Sequence, residues 1–105
     1  MYKNNGIWNG KTIVNKDWIK KSFTNYFSGN PDFEGYGYLF WRKVYTIGNK
    51  SFETYQSSGN GGNKIIMFTE LPIVMVITAK AYNKPYSHSQ VDKIVQEYLL
   101  PAVYK

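Results

Sequence analysis

The segment of this sequence that best combines reactive side chains with an unusual backbone is SSGNGGNKIIMF, from Ser57 to Phe68. Two serine hydroxyls precede three glycines within four residues, and an apolar stretch typical of a strand follows. Glycine loses more conformational freedom on folding than any other residue, so this cluster indicates a position that needs special backbone geometry. Two explanations fit. The glycines form only a hairpin corner, or they also let another molecule lie close against backbone N–H groups.

The rest of the sequence offers few groups for catalysis or metal binding. It contains no cysteine, which excludes thiolate chemistry and disulfides, and its single histidine, His88, excludes a multi-histidine metal centre. Neither Ser-x-x-Lys nor Gly-x-Ser-x-Gly occurs, and Tyr2–Asn4 matches a Tyr-x-Asn pattern by letters alone, a match that occurs often by chance. The stretch GNGGNK opens a strand and not a helix, unlike a Walker phosphate loop. We therefore expect no metal, no cofactor and no visible nucleophilic machinery in this sequence.

Composition favours one compact domain with a basic surface. The chain has 105 residues, of which 43% are hydrophobic and 18% aromatic, and its net charge is +6. Such a charge attracts polyanions or an anionic envelope, but the lysines are scattered with no run of five, which favours a solubilising surface. The sequence shows no secretory signal, and no apolar run approaches the length of a membrane span.

The segment EGYGYLFW, from Glu34 to Trp41, resembles the RNP1 strand of RNA-recognition motifs, in which aromatic rings stack on bases. It departs from that pattern at Glu34, where a basic residue should meet phosphate. The strand–helix–strand that should precede it is also missing, because the first 33 residues offer only one helix. We therefore favour an aromatic core strand over an RNA-binding surface.

Periodicity predicts helix, strands, then helix. The first helix is capped by Asn15 with Asp17 in its first turn, carries apolar residues to Tyr26, and is broken at Gly29–Pro31. The closing helix has capping-box spacing from Ser87 to Gln90 and is stopped by Pro101. Its apolar stripe is Val91, Ile94, Val95, Tyr98 and Leu99. Four strands are expected between the helices, in Tyr36–Tyr45, Phe52–Ser57, Lys64–Phe68 and Ile73–Thr78, the last apolar on both faces and so buried on both.

The predicted fold class is therefore α+β: an antiparallel sheet of about four strands flanked by an N-terminal and a C-terminal helix. Two helices can hardly cover both faces of such an aromatic sheet, which implies a missing partner, either another chain or a missing part of this one. The turn signals NNG and NG near the start indicate that the chain begins on the tail of a helix.

Four segments together resemble the C-terminal part of the β-lactamase-related serine hydrolases, the class C β-lactamases, D-alanyl-D-alanine carboxypeptidases and esterase-like penicillin-binding proteins. They are NNGIWNGKTIVNKDWIKKS, YGYLFW, SSGNGGNKIIMFTELPIVMVITAKAYN and YLLPAV, in that order. The resemblance covers nearly all of residues 1–105. It implies a single C-terminal fragment of a β-lactamase/transpeptidase-like fold.

The resemblance also implies roles for the glycine-rich segment. In that family a third motif, Lys or His, then Thr or Ser, then Gly, lies on a sheet strand that lines the cleft. Ser57, Ser58 and Gly59 match this motif, and Asn60 matches the position whose backbone N–H completes the oxyanion hole. Residues 57–61, ending at Gly61, would align the substrate. Ser57 replaces the basic residue, so the resemblance does not predict recognition of a substrate carboxylate by charge at that point.

The implied function is that of one cleft wall in a hydrolase that acts on amides or esters. The Ser-x-x-Lys and Tyr-x-Asn motifs are absent from this chain, so we expect no turnover by it alone. The expected partners are the missing N-terminal part, a small-molecule or peptidoglycan-like substrate, and a second copy that covers exposed sheet; no specific nucleic acid is expected. Family members mostly work outside the cytoplasm, which implies a periplasmic or extracytoplasmic location. The alternative functions are a freestanding noncatalytic binding module and, third, an RNA-binding domain.

Overall fold

The computed structural model describes residues 2–24, 26, 33 and 35–103. A short 3-10 helix, Tyr2–Asn4, opens the chain. The strands are β1 (Ile7–Trp8), β2 (Lys11–Thr12), β3 (Gly35–Tyr36), β4 (Trp41–Ile47), β5 (Lys50–Gly59), β6 (Asn63–Phe68) and β7 (Val74–Ile77). The helices are α1 (Lys16–Ser22), α2 (Ser89–Ile94) and α3 (Leu100–Val103), the last two joined by a π-helical turn, Val95–Leu99.

The described strands form a five-stranded antiparallel sheet and a separate two-stranded hairpin. The large sheet has the order β3-β4-β5-β6-β7, so each strand lies beside its neighbour in sequence, and β1 pairs with β2 alone. The predicted class, helices with an antiparallel sheet, is confirmed at this level. The sheet has one strand more than expected, because the segment predicted as a single strand from Tyr36 to Tyr45 is a hairpin.

The break between β3 and β4 has a tertiary cause. Gly37 packs so closely on the end of α1 that a Cβ there would lie 2.3 Å from the Ser22 carbonyl oxygen. The next residue, Tyr38, donates its backbone N–H to that same oxygen at 3.1 Å. Leu39 then adopts φ +66, a conformation that non-glycine residues rarely take, and the chain reverses into β4.

The first helix begins where the sequence predicts and ends earlier. Asn15 is the N-cap, and its Oδ1 accepts the Asp17 backbone N–H at 2.7 Å. The helix ends at Ser22, and Tyr26, predicted to lie on it, instead donates its backbone N–H to the Tyr36 carbonyl at 2.8 Å. The predicted breaker, residues 29–31, lies outside the described residues.

Three predictions about the C-terminal helix are wrong. It begins at Ser89 after His88, so Ser87 is not its cap, and it passes through Pro101 to Val103. A π turn makes this passage feasible: the Leu100 N–H donates to the Val95 carbonyl, five residues back, just before the proline that has no N–H to donate. The wider turn also shifts the apolar stripe, so Leu100 is buried and Tyr98, predicted to be in the stripe, is 67% exposed. Ile94, also predicted to be in the stripe, is 41% exposed.

The two faces of the sheet are covered unequally. Residues paired across strands share a face, and we name the faces after the helices that pack on them. The α2 face holds the core, which consists of Tyr45, Phe52, Ile66, Phe68, Val91, Val95 and Leu100. The α1 face meets α1 and Phe23, the residue after it, whose ring lies 4.9 Å from that of Tyr55.

The α1 face remains apolar and exposed over β6 and β7. Ile65, Val74 and Val76 are 44%, 52% and 64% exposed. The prediction that the last strand is buried on both faces is therefore wrong for the described residues, because the described elements do not extend over this part of the sheet. Within the same residues, no helix has the length and apolarity needed to cross a bilayer.

Candidate functional site

The third-motif candidates lie at the end of β5, on a partly open strand edge. Ser57, Ser58 and Gly59 pair with Ile65, Lys64 and Asn63 of β6. On the other side, pairing with β4 stops at Trp41↔Gln56. In the described part of the chain, residues 57–59 thus have a strand on one side only. Such an edge presents backbone N–H and C=O groups to whatever lies beside it.

The two serine side chains lie on opposite faces, because side chains alternate along a strand. Ser57 shares the α1 face with Ile65, its cross-strand partner. Ser58 shares the α2 face with Lys64, which is buried and whose Nζ lies 3.4 Å from Gln56 Oε1. Only the Ser57 hydroxyl can therefore face a ligand on the α1 face.

Gly61 and Gly62 are explained by the fold itself. Their φ angles are +92 and +90, in the left-handed region that favours glycine. A Cβ on Gly61 would lie 2.9 Å from Cδ1 of Tyr82, and one on Gly62 would lie 2.5 Å from the Ser87 carbonyl oxygen. These two glycines form the hairpin corner, and their lack of a side chain leaves room for the loop of residues 81–87.

Gly59 is different, because the described structure does not require a glycine there. Its φ lies outside the left-handed region, and the nearest atoms to an added Cβ would be those of Asn63, at 3.7 Å or more. Such distances are ordinary van der Waals contacts. The hairpin corner therefore explains why Gly61 and Gly62 are glycines, but it does not explain Gly59. For Gly59 the second explanation remains, namely close approach of another molecule.

Asn60 and Asn63 hold the corner against the following loop. Asn60 Oδ1 accepts the Asn83 backbone N–H at 3.0 Å, and Asn63 Oδ1 accepts the Ala79 N–H at 3.0 Å. Asn63 Nδ2 also donates to the Asn60 carbonyl at 2.8 Å. These bonds hold the side chain and the carbonyl of Asn60, whose backbone N–H donates to no acceptor in the described residues.

Two adjoining grooves run over the α1 face from this strand end. The first, of about 430 Å³, includes residues 57–59 and Val76 of β7. The second, of about 370 Å³, lies between α1 and the sheet. Ser57 and Ile65 line both grooves, so the two are continuous, and each is of the size of small-molecule sites.

Charge is sparse around these grooves. Of the described residues that line them, Lys64 alone is charged, and its side chain lies on the α2 face. The nearest ion pair on the α1 face joins Arg42 Nε to Glu53 Oε2 at 2.7 Å, next to Tyr55. Burial, and then the negative charge of Glu53, raise the pKa of the Tyr55 hydroxyl.

A polar cluster on the α2 face was not predicted from the sequence. Gln56 Nε2 donates to the Tyr45 hydroxyl at 2.8 Å, and this hydroxyl donates to Asp92 Oδ1 at 2.7 Å. Lys43 Nζ lies 3.6 Å from the other Asp92 oxygen. The sequence did contain an indication of this cluster, since Gln56 and Lys64 occupy inward positions of two alternating strands where apolar residues are usual.

The RNP1-like segment folds as the β3–β4 hairpin described above, and its aromatic rings pack on one another. The ring centroids of Tyr36 and Trp41 are 4.2 Å apart, and those of Phe33 and Trp41 are 4.8 Å apart. Glu34, at which the motif departs, lies outside the described residues. None of the four aromatic residues of the segment is buried, and Tyr38 is 42% exposed, so the prediction of an aromatic core strand is wrong.

Comparisons with known proteins give no assignment. No protein-family model matches the chain, and no curated protein is found as a relative. Among the described residues, no group of three or more histidine, aspartate or glutamate side chains could hold a metal ion. The assignment of the site therefore rests on its geometry and on the motifs in the sequence.

Proposed function

We propose that this chain is the C-terminal segment of a β-lactamase-related serine hydrolase, part of a β-lactamase/transpeptidase-like fold. It supplies the oxyanion side of the cleft for acyl transfer on an ester or amide. The observation that carries this proposal is Gly59, a glycine that the fold does not require, at the open edge of a strand between the Ser57 hydroxyl and the available Asn60 N–H.

The proposed mechanism gives each residue a separate part. The absence of a side chain at Gly59 lets the substrate carbonyl approach the strand. Asn60, whose carbonyl and side chain are held by the Asn63 and Asn83 hydrogen bonds, donates its backbone N–H to the oxyanion that forms on attack. Donors held in place in advance stabilise such charge strongly, and the loss of one typically costs about a hundredfold to a thousandfold in rate. Ser57 places its hydroxyl in the groove beside the acyl group.

The nucleophile belongs to the part of the hydrolase that this chain does not contain. In the proposal a Ser-x-x-Lys serine, with Tyr-x-Asn beside it, attacks the carbonyl carbon, and the carbonyl oxygen becomes the oxyanion. The exposed apolar surface formed by Val74 and Val76 is where that missing part packs in the proposal. Exposed apolar patches of this kind mark interaction surfaces. The intact enzyme would work outside the cytoplasm, as its family resemblance implies.

A noncatalytic binding module is the alternative, and the continuous grooves favour it to the same degree as they favour a substrate cleft. Gly59 discriminates between the two. A module that binds ligands in the grooves has no need of an oxyanion donor beside a missing side chain, whereas the hydrolase depends on both.

The test is made in the protein expressed from the reading frame extended upstream of this chain. Gly59→Val places a branched side chain where the acyl group must lie, and Ser51→Val makes the matched change at an exposed position of the same strand. We expect Gly59→Val to lower kcat/KM for p-nitrophenyl butanoate by about a hundredfold or more and Ser51→Val to change it less than twofold. Equal effects of the two substitutions would refute the assignment of Gly59.

A further inference from the structure

The groove between α1 and the sheet, which we call the acyl groove, is built from apolar side chains. Trp18 and Ile19 of α1 line one side, Ile65 and Met67 of β6 form the floor, and Phe40 also lines the groove. Ser57 is its link to the strand edge at Gly59. A group bound at that edge can therefore extend directly into the acyl groove.

The groove offers nothing to a charged ligand. None of the described residues that line it is charged. The closest lysine by register, Lys64, lies on the opposite face with Gln56, and Arg42 is paired with Glu53. A carboxylate placed in the groove would lose its hydration without gaining a cation, which is strongly unfavourable. An alkyl chain loses no such interaction and gains from burial.

We propose that the acyl groove binds the apolar acyl chain of an uncharged carboxylic ester. This selects an ester over the two carboxylate-bearing classes, β-lactams and peptidoglycan stem peptides, that share the same third motif. The inference rests on the proposed function, because it takes residues 57–60 as the place where the ester carbonyl lies.

The first experiment measures binding by this 105-residue chain itself. Methyl acetate, methyl butanoate, methyl hexanoate and sodium hexanoate are titrated at neutral pH, and the methyl NMR signals of Ile65 and Met67 report the groove. Each added methylene should tighten binding about fourfold if it is fully buried, so we expect hexanoate ester to bind at least tenfold more tightly than butanoate ester. The hexanoate anion should bind at least tenfold more weakly than its methyl ester.

Two variants locate the site. Ile65→Ala removes side-chain surface from the groove floor, while Val74→Ala is the matched control on the same sheet face and outside both grooves. Both residues are exposed, so both variants should keep the fold, which a urea titration checks. We expect Ile65→Ala to weaken binding of methyl hexanoate at least fivefold and Val74→Ala to change it less than twofold.

Equal binding of hexanoate and its ester, no dependence on chain length, or equal effects of the two variants would overturn the inference. The turnover test of Gly59→Val separates this from failure of the proposed function. If Gly59→Val abolishes turnover but chain length has no effect on binding, the ester class alone is wrong. If the ester binds as expected but Gly59→Val leaves turnover intact, the grooves are a binding site and the hydrolase assignment falls.

Discussion

Alanine substitutions at Gly59 and Gly62, made one at a time, separate the glycine that the fold needs from the one that it does not. At Gly62 the added Cβ meets the Ser87 carbonyl oxygen at 2.5 Å with φ at +90. That oxygen belongs to the backbone, so the loop that carries it must move. At Gly59 the added Cβ finds no atom closer than 3.7 Å, and the backbone is not left-handed.

The two substitutions should change the free energy of unfolding differently. A left-handed backbone costs an alanine about 1–2 kcal/mol, and displacement of packed atoms costs about 1–3 kcal/mol more. Gly62→Ala should therefore destabilise the chain by about 2–5 kcal/mol. Gly59→Ala should be neutral or stabilise it by about 0.4–1 kcal/mol, because alanine reduces the conformational freedom of the unfolded chain.

Urea denaturation followed by circular dichroism measures both variants. With a slope of about 1–3 kcal/mol per molar urea, Gly62→Ala should lower the midpoint by about 1 M or more, and Gly59→Ala should leave it unchanged or raise it. A loss of stability in Gly59→Ala as large as that in Gly62→Ala would refute the argument, because the fold would then account for all three glycines.

Three further predictions concern the structure around the site. Asn63→Ala should lower the free energy of unfolding by about 1–3 kcal/mol, because the Ala79 N–H and carbonyl lose their partner. An unchanged midpoint in urea denaturation would show that these two hydrogen bonds do not stabilise the corner. Tyr45→Phe should cost about 1–2 kcal/mol, because it removes the hydroxyl that accepts from Gln56; a stability equal to the unsubstituted chain would show that the polar cluster contributes nothing. The raised pKa of Tyr55 means that the folded state favours the neutral hydroxyl. The stability that this preference contributes is fully present below the unfolded pKa of 10.0 and is lost as pH rises through the higher folded pKa. Unfolding free energies measured from pH 9 to 12 should fall less steeply in Tyr55→Phe, and identical slopes would contradict this.

Features set by neighbouring residues were predictable from the sequence. The Asn15 cap depends on a hydrogen bond two residues away. The alternation in β5, with Phe52, Thr54 and Gln56 buried, follows from the geometry of any strand packed on one side. The class of the fold follows from the order of these elements, and the family of the fold stays a prediction.

Features set by distant contacts were not predictable. Leu39 carries no turn signal in its residue type, and it turns because Gly37 packs on Ser22 of α1. Pro101 was expected to stop a helix of ordinary period, but a π turn accommodates it and brings Leu100 into the core.

The same reasoning applies to the candidate site. Gly59, Gly61 and Gly62 look equivalent as letters, and their φ angles and their contacts with the loop of residues 81–87 distinguish them. The sequence placed Ser57 and Ser58 together in one motif. Strand geometry places their side chains on opposite faces, so they cannot serve one ligand in the same way.

The most direct test of the central claim is to determine the reading frame upstream of the Met1 codon, to express the extended protein, and to treat it with a fluorophosphonate that labels reactive serines. The account predicts that the extension encodes Ser-x-x-Lys and Tyr-x-Asn and that mass spectrometry finds the label on that serine. It also predicts that the 105-residue chain alone takes no label and hydrolyses p-nitrophenyl butanoate no faster than a heat-treated control. A stop codon directly upstream, or hydrolysis by the chain alone, would contradict the account.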